Sequence, residues 1–189
     1  MRKILFFVAV GLVAGIVTSC KDSDNENVWD KYAEWRDTND AWIESQAELT
    51  APDGSLYYTK VVPAWNKTAY VLVHYFNDRS LTEGNLSPLY TSTVDVKYIG
   101  RLYNDEPFDS SFNMVNTYGD SIYRAQLCDL VPGWAIAMED MRVGDSCRVV
   151  VPYEQGYYST SMGSIPPYSC LQFDIKLVDI PYYEIKNPE

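Results

Sequence analysis

From residue 28 to residue 49 the apolar side chains recur at helical spacing. Val28, Tyr32, Trp35, Trp42, Ile43 and Leu49 fall on one stripe, while Asp30, Lys31, Glu34, Asp37, Asp40 and Glu44 take much of the rest. Asn27 stands where a helix N-cap belongs, and Pro52-Asp53-Gly54 carries the stop and turn signals. The pattern predicts a helix over 28–49 whose Trp29, Trp35 and Trp42 pack onto the rest of the chain, with a partner-binding surface as the alternative use of those rings. Beyond Leu56 the period shortens to that of strands. Residues 70–76 form a nearly continuous apolar run, the mark of a buried strand, and 78–88 read as a loop containing Glu83-Gly84-Asn85. Val94, Val96 and Tyr98 alternate with Asp95 and Lys97, residues 147–151 form a third strand, and Leu171, Phe173, Ile175 and Leu177 alternate with Gln172, Asp174 and Lys176 in a fourth. A short helix over 134–141 lies between them, ended by Gly144. The expected class is α+β: a curved antiparallel sheet wrapped around a short α-helix, with an N-terminal helical extension.

The first twenty residues follow a different rule. Arg2 and Lys3 precede an almost unbroken apolar run over 4–17, and Thr18-Ser19-Cys20 follow. The run falls short of the roughly 20 residues that span a bilayer, so it reads as a signal peptide rather than a transmembrane helix. Val17-Thr18-Ser19-Cys20 resembles the lipobox of bacterial lipoproteins, which implies cleavage before Cys20 and acylation of that residue. A plain secretory signal with an incidental cysteine is the alternative. Residues 20–27 form an acidic tether; Lys21-Asp22-Ser23-Asp24 also resembles the acidic sorting run of some envelope lipoproteins. The localisation expected is the cell envelope, on a bacterial membrane, outer membrane first, facing either the periplasm or the surface.

Of the 189 residues 47% are hydrophobic and 14% aromatic, enough to fill a core, and the formal net charge is −11. A chain so acidic lacks the basic footprint of nucleic-acid binding and any basic patch for anionic lipid. Attachment to a membrane then depends on the acyl chains of Cys20. Besides Cys20 there are three cysteines, Cys128, Cys147 and Cys170, in no metal-ligand spacing, and one histidine, His74, in an apolar strand. These read as packed thiols and a structural imidazole. No metal and no cofactor is expected.

Four pieces follow one another in one order at one set of spacings. They are Tyr98-Ile99-Gly100-Arg101-Leu102; Phe108-Asp109-Ser110-Ser111; Leu130-Val131-Pro132-Gly133-Trp134 with Met141-Arg142-Val143-Gly144 after it; and residues 152–157 followed by Ile165-Pro166-Pro167-Tyr168 and Leu171-Gln172-Phe173-Asp174. Together they resemble the FKBP family of peptidyl-prolyl cis-trans isomerases over about residues 94–180. The resemblance implies a pocket floored by Trp134 and walled by Tyr98, Phe108, Val131, Ile165 and Phe173. Leu130 would form its rim and the Val131 N–H would receive a substrate carbonyl. It also places Asp109 beside Tyr98 and Phe108 and gives Tyr157 a hydroxyl donor role. Two departures stand out. Ser121 falls near the place of an aromatic wall residue, with Tyr123 two positions on as a substitute; Tyr158 replaces a glycine, leaving Tyr157 or Tyr158 to face the site. Pro132-Gly133 ahead of a helix start also suggests an exposed Trp134.

The domain organisation expected is a signal peptide over 1–19, the tether over 20–27, a helix and strand extension over 28–85, and an FKBP-like domain over 86–181. The partners implied are X-Pro segments of unfolded or exported proteins and the macrolide ligands of the family. The alternative function is a catalytically weak binding module or chaperone that grips Pro-containing or apolar segments.

Overall fold

The computed structural model describes residues 27–115 and 117–182. The signal segment and Cys20 lie outside the described residues. At the N-terminus the helical stripe forms two helices, α1 over Val28–Lys31 and α2 over Ala33–Ala47. The Asn27 side chain accepts from the Trp29 N–H at 3.2 Å, the cap expected of it. The single helix expected over 28–49 is broken at Tyr32, whose φ of −106° and ψ of 20° leave the helical region. Past the break Arg36 reaches back, donating to the Trp29 carbonyl at 3.0 Å with its guanidinium 3.5 Å from the Trp29 ring centroid. Trp29 in turn meets Tyr168 edge-on.

Seven strands form one sheet among the described residues: β1 Thr59–Val61, β2 Val71–Tyr75, β3 Thr93–Leu102, β4 Pro107–Ser110, β5 Tyr123–Gln126, β6 Ser146–Val151 and β7 Leu171–Asp179. Their order is β1-β2-β6-β7-β3-β4, with β5 also on β3, and every pairing is antiparallel. The sheet crosses the boundary expected near residue 85, because β2 pairs with β6 from Leu72↔Val150 to Tyr75↔Cys147. The segment before that boundary is therefore built into the same sheet.

The continuous apolar runs at 70–76 and 147–151 have a physical cause in two-sided burial. Successive side chains of a strand point to opposite faces. Val71, Val73, Val149 and Val151 join one core together with α3, which spans Pro132–Met138. Leu72 and Val150 join a second core with Ile43, Tyr58, Tyr153 and Tyr168. Helix α2 thus packs behind the sheet, on the face opposite α3. Trp35 and Trp42 both meet Tyr103 edge-on, and the Trp35 indole donates to Ser169 Oγ at 3.0 Å.

One fully buried polar side chain fastens this second layer. Asn39 donates to the Trp35 carbonyl and accepts from the Cys170 N–H, each at 2.8 Å. Asn39→Ala strands the Cys170 amide, and an unsatisfied buried donor costs about 1–3 kcal/mol. Urea unfolding should show that loss, and an unchanged midpoint would contradict the role given to Asn39.

Helix α3 begins two residues earlier and ends three residues sooner than the 134–141 expected. Pro132 sits in its first turn, where a missing N–H costs nothing. Asp140 and Met141 close tight turns onto Ala137 and Met138 instead of continuing the helix. His74 is structural, stacked on Tyr57 at 3.9 Å with Nδ1 2.8 Å from the Tyr57 carbonyl. Cys147 and Cys170 are buried and Cys128 is half-buried, all three as free thiols.

Candidate active site

Two close approaches shape the site. A Cβ on Gly100 of β3 would lie 2.6 Å from Phe108 Cε2 and 3.0 Å from Phe173 Cε1, so only glycine lets these rings close over the strand. A Cβ on Gly133 would run into the Val151 side chain, so glycine also lets the start of α3 lie against β6. That contact swings the next residue, Trp134, inward. The expectation of an exposed Trp134 is corrected here: the residue is 4% exposed. Its ring meets Tyr98 at 5.1 Å and Phe173 at 5.2 Å, both edge-on, while Phe173 meets Phe108 at 5.6 Å in the same way.

These rings form the base of a cavity of about 210 Å³. Tyr98, Trp134 and Phe173 are its buried lining, and Phe108, Tyr123, Leu130, Val131 and Tyr157 stand half-buried around them. Asp109 and Asp129 are exposed at the mouth. Ile165 alone of the expected wall residues is outside this lining. Its backbone closes a tight bridge with Met162, and its side chain is buried in the core that Trp134 also joins. Asp129, on the turn before α3, was not foreseen; a single acid in a turn carries no sequence signal for a pocket.

The cavity faces the first of the two contested tyrosines. Tyr157 lines it, whereas Tyr158, 54% exposed and at φ 52°, turns away toward Tyr153 and Tyr168. Tyr123 supplies the aromatic wall, 5.5 Å from Tyr98, and Ser121 lies outside it.

The polar groups are few and ordered. Tyr98 Oη donates to Asp109 Oδ2 at 2.5 Å, and Asp109 Oδ1 accepts from the Ser110 N–H at 2.8 Å. Buried Ser111 clasps β3 from the side, its Oγ accepting from the Tyr98 N–H and its own N–H donating to the Tyr98 carbonyl. Burial first, and then the bond to Asp109 and its negative charge, push the Tyr98 hydroxyl well above the usual phenol range. Tyr123 and Tyr157 are raised as well, again by burial first and the Asp109 charge second. All three therefore stay protonated as hydrogen-bond donors at physiological pH. The Val131 N–H and the Tyr157 hydroxyl have no protein acceptor among the described residues. No group of three or more His, Cys, Asp or Glu side chains placed to hold a metal occurs among those residues.

An antiparallel sheet folded over the short helix α3 carries an aromatic pocket at the start of that helix. Residues 85–178 match the family model of FKBP-type peptidyl-prolyl cis-trans isomerases. Through this segment the chain belongs to that family. The "Macrophage infectivity potentiator" of Trypanosoma cruzi is 36% identical over 98 residues, which are 51% of this chain and 47% of that protein. The FKBP-type isomerase FkpA of Escherichia coli K12 is 32% identical over 94 residues, 50% of this chain and 33% of FkpA. The chain thus spans less than half the length of these curated relatives. In fold it is similar to a peptidyl-prolyl isomerase of Pseudomonas syringae, with a TM-score of 0.60 and 19% identity over 79% of this chain and 95% of that one. It is also similar to the crystal structure of FkpA from E. coli, with a TM-score of 0.60 and 23% identity over 79% of this chain and 62% of that one.

Proposed function

We propose that this protein catalyses cis-trans isomerisation of X-Pro peptide bonds in polypeptides that place a proline in the Trp134 cavity. The observation that carries this reading is Trp134 edge-on to both Tyr98 and Phe173, beneath the Val131 N–H and the Tyr157 hydroxyl, which have no protein acceptor among the described residues, on a pocket the size of a small ring. Rotation about a peptide bond must break amide resonance, with a barrier of about 18–20 kcal/mol, and X-Pro bonds cross it in tens to hundreds of seconds. Water stabilises the planar, charge-separated amide more than the twisted one. A dry aromatic pocket removes that advantage, and donors such as Tyr157 Oη and the Val131 N–H hold the flanking carbonyls in the twisted geometry. No proton moves and no bond breaks, so the reaction needs no general base.

A second reading, a catalytically weak binding module, would be favoured by departures at Ser121 and Tyr158 that left gaps in the aromatic wall. Tyr123 fills the wall beside the first and Tyr157 faces the cavity beside the second, so both departures leave a full aromatic lining. Macrolide ligands of the family would occupy the same cavity and compete with X-Pro segments.

Asp109 orients Tyr98 rather than transferring a proton. Asp109→Ala frees the Tyr98 hydroxyl and removes a charge-assisted bond worth about 1.5–3 kcal/mol, so kcat/KM should fall roughly tenfold or more. A protease-coupled assay on X-Pro peptides measures this, and unchanged turnover would contradict the positioning role.

We further propose that the protein acts on exported chains in a bacterial cell envelope, anchored by lipid on Cys20. The support is the order of Arg2-Lys3, the apolar run and Cys20 in the sequence. Among the described residues no helix is long and apolar enough to cross a membrane. Cys20→Ser should move the protein from the membrane to the soluble fraction and abolish labelling by a fatty-acid precursor. Retention at the membrane with unchanged labelling would overturn the anchor.

A further inference from the structure

A second cavity opens beside the first. It holds about 510 Å³ and is lined by Trp65, Tyr90, Leu130, Pro132, Ala135 and Glu139. Leu130 lines both cavities, so they share a wall. Pro132, Ala135 and Glu139 follow one another at helical spacing along α3 and its C-cap, giving this cavity one stripe of the helix. Trp134 lines the other cavity.

The aromatic side comes from two loops. Trp65 stands on the β1–β2 connection, where Asn66 Oδ1 accepts from the Thr68 N–H at 3.0 Å and the Thr68 hydroxyl at 2.8 Å. Tyr90 stands in a turn closed by the Ser92 N–H on the Leu89 carbonyl at 2.8 Å. Trp65 is 61% exposed and Tyr90 51%. Single exposed apolar side chains are ordinary on a protein surface. Two exposed rings around an apolar floor, continuous with a ring-binding pocket, are not. Trp65 also precedes residues 85–178, so this wall comes from the chain's own N-terminal part.

A polypeptide with its proline over Trp134 has to leave that cavity across its rim. On the α3 side the rim is Leu130, and a chain crossing there lays its next side chains over the second cavity. We propose that this second cavity is a specificity subsite of the polypeptide substrate, taking a bulky apolar or aromatic side chain close to the isomerised proline. The inference rests on the isomerase reading above. Glu139 at the edge and the formal net charge of −11 disfavour an acidic side chain there.

The test uses short peptides with Ala, Phe or Glu next to proline, on either side, in calorimetric titrations and NMR exchange measurements. The wild type should bind the better-placed Phe peptide roughly tenfold tighter than its Ala counterpart, the scale of a well-filled apolar pocket, and the Glu peptide more weakly still. Trp65→Ala and Tyr90→Ala should bring the Phe-to-Ala ratio close to one, through Kd and KM rather than kcat. Leu81→Ala, an 80% exposed apolar residue outside both cavities, should keep the ratio. A wild type indifferent to Phe, or a ratio preserved in both ring variants, overturns the subsite and leaves the isomerase reading standing. A Trp65-dependent ratio in binding, with exchange no faster than in free peptide, overturns the isomerase reading and keeps the subsite.

Discussion

Trp134→Ala should abolish measurable isomerase activity and cost about 3–5 kcal/mol of stability, the usual range for truncating a buried tryptophan. The indole is 4% exposed and touches Tyr98 and Phe173 at right angles, so its loss removes the base of the cavity and two core contacts at once. Such a loss is a large share of the roughly 5–15 kcal/mol that holds a typical domain together. Trp134→Phe separates the two effects, because it keeps an aromatic base and most of the buried area. Denaturant unfolding should rank the proteins wild type, Phe, Ala. Exchange rates on an X-Pro peptide should rank them the same way. A folded Trp134→Ala variant with full turnover would remove Trp134 from the site.

Asp145→Ala should be comparably damaging although Asp145 lines neither cavity. The carboxylate is fully buried and accepts from Thr82 Oγ1 at 2.6 Å, Asn77 Nδ2 at 3.0 Å and the Arg142 N–H at 2.9 Å, with Arg79 Nε 3.4 Å away. It ties the 77–82 connection to the turn before β6. Breaking a buried charge cluster on one side strands its partners and costs about 3–5 kcal/mol. Burial pushes the Asp145 carboxyl up, but the three hydrogen bonds and the Arg79 charge outweigh it and hold it below the usual carboxylate range. Asp174, bonded to Arg148 and Arg101, is likewise held low against burial. A group depressed on folding stabilises above its unfolded value of about 3.9, and that stabilisation is lost as pH falls through the folded value. Wild-type stability should therefore be level near neutrality and drop on acidification below about pH 4. Asp145→Asn should be weaker at pH 7 and show a shallower drop. Urea midpoints at pH 7 and pH 3 measure both; parallel curves for the two proteins would contradict the role given to Asp145.

The sequence periodicity carried the long elements because their faces are unequal. Strands β3 and β7 alternate apolar and polar residues, and α2 shows a stripe, so each is legible alone. Strands β1, β4 and β5 are three or four residues long, too short for any period to register. The break at Tyr32 was invisible for another reason: Arg36 folding back over Trp29 is a contact that helical spacing does not encode. In the site, most of the lining was legible only through the resemblance to the FKBP family: Tyr98, Phe108, Leu130, Val131, Trp134, Tyr157 and Phe173, which it implied, all border the cavity. Ile165 stands outside that lining, buried in the core that Trp134 joins, and Asp129 was missed because a single acid in a turn carries no signal for a pocket. Trp134 was expected outside because Pro132-Gly133 reads as a surface turn. The glycine serves instead to bring the helix against Val151 and turn the indole inward.

The activity proposed for the Trp134 cavity is acceleration of rotation about X-Pro bonds. The direct measurement is two-dimensional NMR exchange spectroscopy on a short X-Pro peptide with a small molar fraction of this protein. The expected result is cis-trans exchange faster than in the free peptide, rising in proportion to protein concentration and absent with Trp134→Ala. Exchange at the rate of the free peptide, while the peptide's shifts report binding in the cavity, would contradict it.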